Sequence, residues 1–150
     1  LQIQALTLKC YNELNSHKGQ KMKMRVYYED TDAGGVVYHS KYLNFCERAR
    51  SELFFEHFPY IFEASKGHFL VSQAECAFIK PAKLGDLLEI KTQIIQVKRA
   101  SVLLMQEIFR CDGANLSQKL FQARFTLAFV KDEKPCAMSD ELKAVFERLF

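Results

Sequence analysis

Apolar and polar side chains alternate over residues 87–97 and again over 121–129, with a further strand-like segment between them, and that limits this chain to a fold built on an antiparallel sheet. Over Leu87 to Val97, Leu88, Ile90 and Ile94 face one way while Glu89, Lys91 and Gln93 face the other. The tight Lys98-Arg99-Ala100 connection leads into a second segment from Ser101 to Phe109. Asp112-Gly113 then gives a hairpin signal. In the last segment Phe121, Ala123, Phe125, Leu127 and Phe129 share one face, against Gln122, Arg124 and Thr126. Connections this short join neighbours that run in opposite directions. Phe69 to Ile79 reads as a further strand, separated from the meander by Lys80-Pro81 and a Gly85-Asp86 turn.

Upstream the periodicity changes. Lys23 to Glu29 reads as a short strand ending at the Asp-Thr-Asp-Ala-Gly-Gly run, where Gly34 and Gly35 free the backbone from ordinary φ limits. Ser40 is placed to cap a helix running to about Phe58, which Pro59 ends. Its apolar stripe is Tyr42, Phe45, Cys46, Ala49 and Leu53, with Glu47, Arg48, Arg50 and Glu52 on the other side. Ser139 is placed to cap a final helix. The order of strand, long helix and four long strands predicts an α+β fold in which one helix covers one sheet face. The mixed residues of the other face leave room for pairing with a second subunit.

A chain of 150 residues makes one domain and buries roughly 70% of its unfolded surface, enough for a core. At 49% hydrophobic and 26% charged it is composed like an ordinary globular protein. A net charge of +3 is too weak to argue for nucleic acid. The five cysteines are scattered without a CxxC pair, which points to reduced thiols in the cytoplasm rather than to disulfides or zinc. No apolar run is long enough for a membrane span. Residues 1–21 lack a signal-peptide core, and Met22-Lys23-Met24 resembles a natural start, so 1–21 is expected to be a leader or appended segment outside the catalytic fold, with the domain spanning 22–150.

The chemistry concentrates in YYEDTDAGGVVYHSKY, residues 27–42. A helix starting near Ser40 presents unpaired N–H groups and a partial positive charge, which would polarise a docked carbonyl and stabilise an oxyanion on it. Gly34-Gly35 lets the backbone approach a substrate. Asp32, just before them, could attack such a carbonyl or orient a water. A free carboxylate, with pKa about 3.9, is a weak base and suits an ester or thioester better than an amide. Tyr28 could hydrogen-bond the carboxylate, and His39 could position water.

From spacing alone the plainer reading comes first: Asp-x-Asp before glycines is common turn chemistry, with carboxylates bonding local N–H groups. Asp30 would then only brace the loop, and His39 would be a cap or surface residue. Cys46 sits in the apolar stripe as a core thiol rather than a nucleophile. Glu47 is the best alternative base, although a solvated helix residue is its ordinary reading. The run lacks the third oxygen ligand and distal Glu of a calcium loop. No histidine pair has metal-ligand spacing.

The string RVYYEDTDAGGVVYHSKYLNFCERARSELF, residues 25–54, resembles the start of the 4-hydroxybenzoyl-CoA thioesterase family, and within it the YbgC-type acyl-CoA thioesterases linked in bacteria to the Tol–Pal system. FIKPAKLGDLLEI, RASVLLMQEI and FTLAFV extend the resemblance over about residues 23–135. It implies a hotdog fold, in which an antiparallel sheet wraps a central helix, with homodimers that continue the sheet and frequent homotetramers. The family's catalytic aspartate matches Asp32, and its carbonyl-polarising amide falls at about His39. Tyr28 and His39 match further active-site members. Benzoyl-type enzymes often have proline after the aspartate, where Ala33 stands here, and that leaves the acyl group open.

The resemblance also implies coenzyme A as part of the substrate, with no separate cofactor and no metal. Lys80, Lys83, Lys98 and Arg99 are candidates for its phosphates, each otherwise a solvated strand-end charge. The phenylalanines would suit an aliphatic acyl tunnel, though plain core is their commoner use. The expectation is a cytoplasmic acyl-CoA thioesterase, directed at fatty acyl chains and connected to phospholipid or envelope metabolism. The alternatives are a non-catalytic scaffold for acyl-CoA or acyl carrier protein, and a hydratase, whose Asp/His motif is not found here.

Overall fold

A computed structural model describes residues 19–58 and 63–149. Strand β1 (Gln20–Arg25) leads through a 3-10 turn (Tyr28–Asp30) and a loop into helix α1 (Lys41–His57). Then follow β2 (His68–Phe78), β3 (Leu87–Val97), β4 (Ser101–Asp112), β5 (Asn115–Lys131), the short β6 (Lys134–Pro135) and helix α2 (Asp140–Arg148). β1 begins at Gln20 and pairs antiparallel with β3, so Gln20 and Lys21 belong to the sheet. Residues 1–18 and 59–62, which include most of the expected leader and the helix-ending Pro59, lie outside the described residues.

The six strands form one antiparallel sheet in the order β1-β3-β4-β5-β2, with β6 added on β5. The alternation reads out as drawn from the sequence. Leu88, Ile90, Ile94, Val102, Leu104, Ile108, Phe121, Phe125 and Leu127 are buried in the core with α1 packed over them. This is the expected α+β hotdog arrangement. Two strands, β4 and β5, run longer than expected, because the Asp112–Asn115 hairpin lets their pairing continue to its tip, whereas β1 ends at Arg25 rather than Glu29, short of the 3-10 turn.

The helix stripe is buried as predicted, and two side chains join it. Phe54 stacks on Phe69 with ring centroids 5.4 Å apart and an interplanar angle of 2°. Arg50, expected on the solvent side, is buried beneath the helix. Its guanidinium donates to Gln106 Oε1 at 2.8 Å and lies 4.3 Å from the Phe125 ring centroid. Gln106 Nε2 in turn donates to Cys46 O at 3.0 Å and Thr92 Oγ1 at 2.8 Å. These partners are what allow a cation and an amide to sit in an apolar core. Burial lowers the Arg50 pKa, and neighbouring Cys46 and Glu47 partly oppose that.

The phenylalanines are largely core. Phe146 of α2 is fully buried and meets Phe54 and Phe69 edge-on at 6.2 and 5.6 Å. β2, by contrast, pairs only with β5 and exposes nearly every residue, including Leu70, Val71 and Phe78.

Candidate active site

The Asp32 loop folds back on itself as a miniature hairpin. Thr31 bridges Val37, Asp32 N–H donates to Val36 O at 2.9 Å, and Gly35 N–H donates to Asp32 O at 3.0 Å. Gly35 sits at φ +78°, the left-handed region that a side chain disfavours. Gly34 has a different task. Its N–H donates to Asp32 Oδ1 at 2.8 Å, and a Cβ built there would lie 3.1 Å from that oxygen. One glycine therefore makes the turn and the other seats the carboxylate. The turn chemistry read from Asp-x-Asp is present, and it leaves Asp32 Oδ2 without a protein donor among the described residues.

Asp30 braces the loop. It is 2% exposed, its Oδ2 accepts from Tyr27 N–H at 2.9 Å, and its carbonyl accepts from Tyr38 N–H at 2.9 Å. Its Oδ1 stands 3.7 Å from Lys41 Nζ in the first turn of α1, so the pair ties the loop to the helix start. Val37 N–H donates to Ala82 O and Val36 bridges Lys83, which fastens the loop to the segment before β3.

At the head of α1, Ser40 occupies the cap position but makes no side-chain cap bond, because its backbone is already helical at φ −69°, ψ −21°. Lys41 N–H turns back to Tyr38 O and Leu43 N–H to Ser40 O. The N–H groups of His39 and Ser40 have no acceptor among the described residues. They are unsatisfied donors at a helix N-terminus, and an anionic oxygen is what such a place favours.

A cavity of about 370 Å³ opens here, with Asp32, Tyr38, His39 and Tyr42 on one side and Phe78, Ile79 and Lys80 on the other. Asp32 and His39 are thus brought together, with Lys80 beside them. Tyr28 lies on the 3-10 turn, 82% exposed and outside the cavity's lining. Lys83 is exposed beyond the bridge to Val36, and its N–H donates to Asp86 Oδ2. Lys98 and Arg99 sit at the far end of β3, roughly 35 Å of strand away. There Lys98 helps line a small polar cavity with Arg124 and Glu75.

Tyr42 was legible only as part of an apolar stripe. Its ring is buried, stacked on Phe121 at 5.1 Å and 17°. Its hydroxyl accepts Ala82 N–H at 2.9 Å, which leaves its own proton uncommitted among the described residues, and the residue lines the cavity. Burial raises the phenol pKa, while the Ala82 bond and Arg110 act against the rise. A tyrosine where phenylalanine would pack equally well was the available signal. Arg110 was missed entirely. It donates to Asp86 at 2.9 Å, Gln118 at 2.7 Å and Pro81 O at 2.8 Å, clamping the wall that carries Lys80 and Pro81.

The rival nucleophile and base stand apart. Cys46 is fully buried, and burial pushes its thiol up to about 12, which keeps it protonated. Glu47 is exposed on α1, takes the Ser51 hydroxyl at 2.5 Å and does not line the cavity. Among the described residues no helix is long and apolar enough to cross a membrane, and no three His, Cys, Asp or Glu side chains group as a metal site.

Comparison with known proteins gives concordant results. The model of the thioesterase-like superfamily matches residues 26–146. An acyl-CoA thioesterase YbgC of Helicobacter pylori is 44% identical over 113 residues, covering 73% of this chain and 84% of the relative. Another, of Haemophilus influenzae, is 40% identical over 137 residues, covering 87% of this chain and 96% of the relative. A solved structure described as a probable thioesterase from Bartonella henselae superposes with a TM-score of 0.70 at 35% identity, over 82% of this chain and 100% of its own.

Proposed function

The chain belongs to the thioesterase-like superfamily, and we propose from that premise that it is an acyl-CoA thioesterase, hydrolysing the thioester to a free acid and coenzyme A. The observation that carries the reading is the juxtaposition, in the lining of one cavity, of Asp32, one carboxylate oxygen still open, with His39, whose N–H group is unsatisfied, as is that of the adjoining Ser40.

The thioester carbonyl docks with its oxygen on those N–H groups, which polarise the carbon and hold the oxyanion that forms. Asp32 then acts in one of two ways. Its Oδ2 attacks the carbonyl carbon, the C–S bond breaks, coenzyme A leaves as thiolate, and water hydrolyses the resulting anhydride. Alternatively, Asp32 takes a proton from a water that attacks the same carbon, and the tetrahedral intermediate collapses with loss of the thiolate. Both give one carboxylic acid and one coenzyme A. His39 and the Tyr42 hydroxyl line the space where water and leaving group move.

The apolar wall of Val36, Phe78 and Ile79 favours fatty acyl substrates. Coenzyme A is needed only as part of the substrate, with Lys80 the nearest candidate for its phosphates. Tyr28, Lys83, Lys98 and Arg99 stand outside this cavity in one chain, so a role for them would have to arise in an assembly. Self-association as a homodimer fits the unpaired β2 edge, whose free N–H and C=O groups and exposed Leu70 and Val71 suit a second copy. Two such dimers would make the homotetramer. The reading places the protein in the cytoplasm and, from the YbgC-type resemblance, in phospholipid or cell-envelope metabolism, where acyl carrier protein is a possible second carrier.

The test is free-thiol release from acyl-CoAs of graded chain length, comparing the native chain with Asp32→Asn. A fall of about 10²-fold or more in the variant, with the fold intact, is expected. Equal rates would move the chemistry elsewhere, to Glu47 first. Binding of acyl-CoA without turnover by either protein would favour the scaffold.

A further inference from the structure

A second cavity, larger than the first at about 530 Å³, lies at the other end of α1 and shares no residue with the Asp32 site. α1 is 17 residues long, so the two lie roughly 25 Å apart along its axis. Its size falls within the range of roughly 300–1,000 Å³ typical of small-molecule sites.

The cavity follows from how α2 is laid down. Ser139 caps the helix by accepting Leu142 N–H at 3.1 Å. Phe146 then enters the aromatic core, while Leu142 and Val145, three apart on the same helix, remain half-buried and line the cavity. Phe58 at the end of α1 and Phe129 of β5 form the opposite wall. Gly67 fits between them because a Cβ there would lie 2.7 Å from the Phe129 ring. The interior is therefore phenyl and aliphatic.

The polar groups are at its margin. Lys66 is held by Glu63 at 3.1 Å, and His57 lies 3.8 Å from Glu56. Lys131 is exposed, lines the cavity and has no carboxylate within ion-pair distance among the described residues. Glu141 is the acid in the lining. Glu141, like Lys131, has no ion-pair partner among the described residues, but two lysines against one acid leave the lining net positive, which suits an aliphatic chain ending in an anion.

We infer that this cavity is a binding site for a free aliphatic carboxylate, the tail between Phe58, Phe129, Leu142 and Val145 and the carboxylate at Lys131. The site does not depend on the hydrolytic reading. If that reading holds, however, the ligand has the chemistry of the reaction's own acid product, bound away from Asp32 of the same chain.

The experiment is titration with decanoate, and with decanol and decylamine as neutral and cationic counterparts, followed by methyl-resolved NMR and calorimetry. Decanoate is expected to shift the Leu142 and Val145 methyls and to bind severalfold more tightly than decanol, with decylamine weakest. Affinity should rise about fourfold for each methylene added to the acid. Val145→Trp, which fills the slot, should weaken decanoate at least tenfold while thiol release from acyl-CoA continues. Should that variant misfold, Lys131→Glu at the exposed rim decides, with a severalfold loss expected. No binding, shifts confined to Val36 and Val37 of the Asp32 cavity, equal affinity for decylamine, or unchanged binding in a folded Val145→Trp or in Lys131→Glu would each overturn the inference. Loss of hydrolysis in Asp32→Asn with decanoate binding kept leaves it standing.

Discussion

Replacing Tyr42 with phenylalanine separates two tasks that one oxygen performs. The ring would stay stacked on Phe121, so packing is nearly unchanged. What disappears is the acceptor for Ala82 N–H, in a place where Tyr42 is 4% exposed and Ala82 0%. A buried donor left unsatisfied costs about 1–3 kcal/mol, more than the roughly 1 kcal/mol net value of an average hydrogen bond. Removing the desolvated hydroxyl offsets part of that, so we expect a loss of about 1–2 kcal/mol and a Tm lower by roughly 2–8 °C for a chain of this length. Calorimetry and urea unfolding would measure it. In the same protein, kcat for acyl-CoA hydrolysis should fall about tenfold or more if the phenolic proton serves the reaction, with KM little altered. An unchanged Tm would refute the claim that Tyr42 satisfies the Ala82 amide. Full stability loss with kcat intact would confine Tyr42 to structure.

Three further outcomes follow from the same geometry. The Cys46 thiol ionises at 9.0 ordinarily and at about 12 in its buried site, so the folded chain holds that proton more tightly. Stability from this group is therefore complete below about pH 9 and lost as pH rises towards 12. By about pH 10.5 the loss reaches about 2 kcal/mol, and urea titrations of the native chain and Cys46→Ala should converge by that amount between pH 8 and 10.5. Asp30→Ala removes the brace that holds Tyr27 N–H and faces Lys41; about 1–3 kcal/mol should go, with kcat falling more than KM rises as Asp32 and the helix start lose register, and a purely structural effect would leave kcat unchanged below the melting range. Phe146→Ala empties the junction of Phe54, Phe58 and Phe69, for a loss of about 3–5 kcal/mol by denaturant titration; a loss under 1 kcal/mol would mean that the junction collapses into the space.

Much of the candidate site was legible because it is local. Asp32, Gly34, Gly35 and His39 lie within eight residues, and turn and helix-terminus chemistry are short-range, so the carboxylate and the exposed amides could be placed together from sequence. Tyr28 is just as close in sequence but turns outward, because the 3-10 turn that begins with it buries Asp30 instead. The wall opposite Asp32 was less legible. Lys80, Pro81 and Ala82 reach it only because Val37 N–H finds Ala82 O and Arg110 clamps Pro81 O, links that join residues 29 to 45 positions apart.

Helix periodicity likewise has limits. It put Arg50 among the solvent-facing residues, since a guanidinium one position off an apolar stripe is usually exposed. Gln106, 56 residues away, supplies the acceptor that permits burial, and Phe125 offers its ring face.

By itself the sequence determined the strands, the central helix with its buried stripe, and the Asp-Gly-Gly turn before it, because two-residue and 3.6-residue periodicities and glycine conformations act over a few bonds. The tertiary structure alone decided the strand order β1-β3-β4-β5-β2, the burial of Arg50, the hydrogen bond that leaves the Tyr42 proton free, and the separation of Lys80 from Lys98 by the length of β3. Those outcomes depend on which distant groups meet, and a buried polar group becomes tolerable only when a partner from elsewhere in the chain arrives.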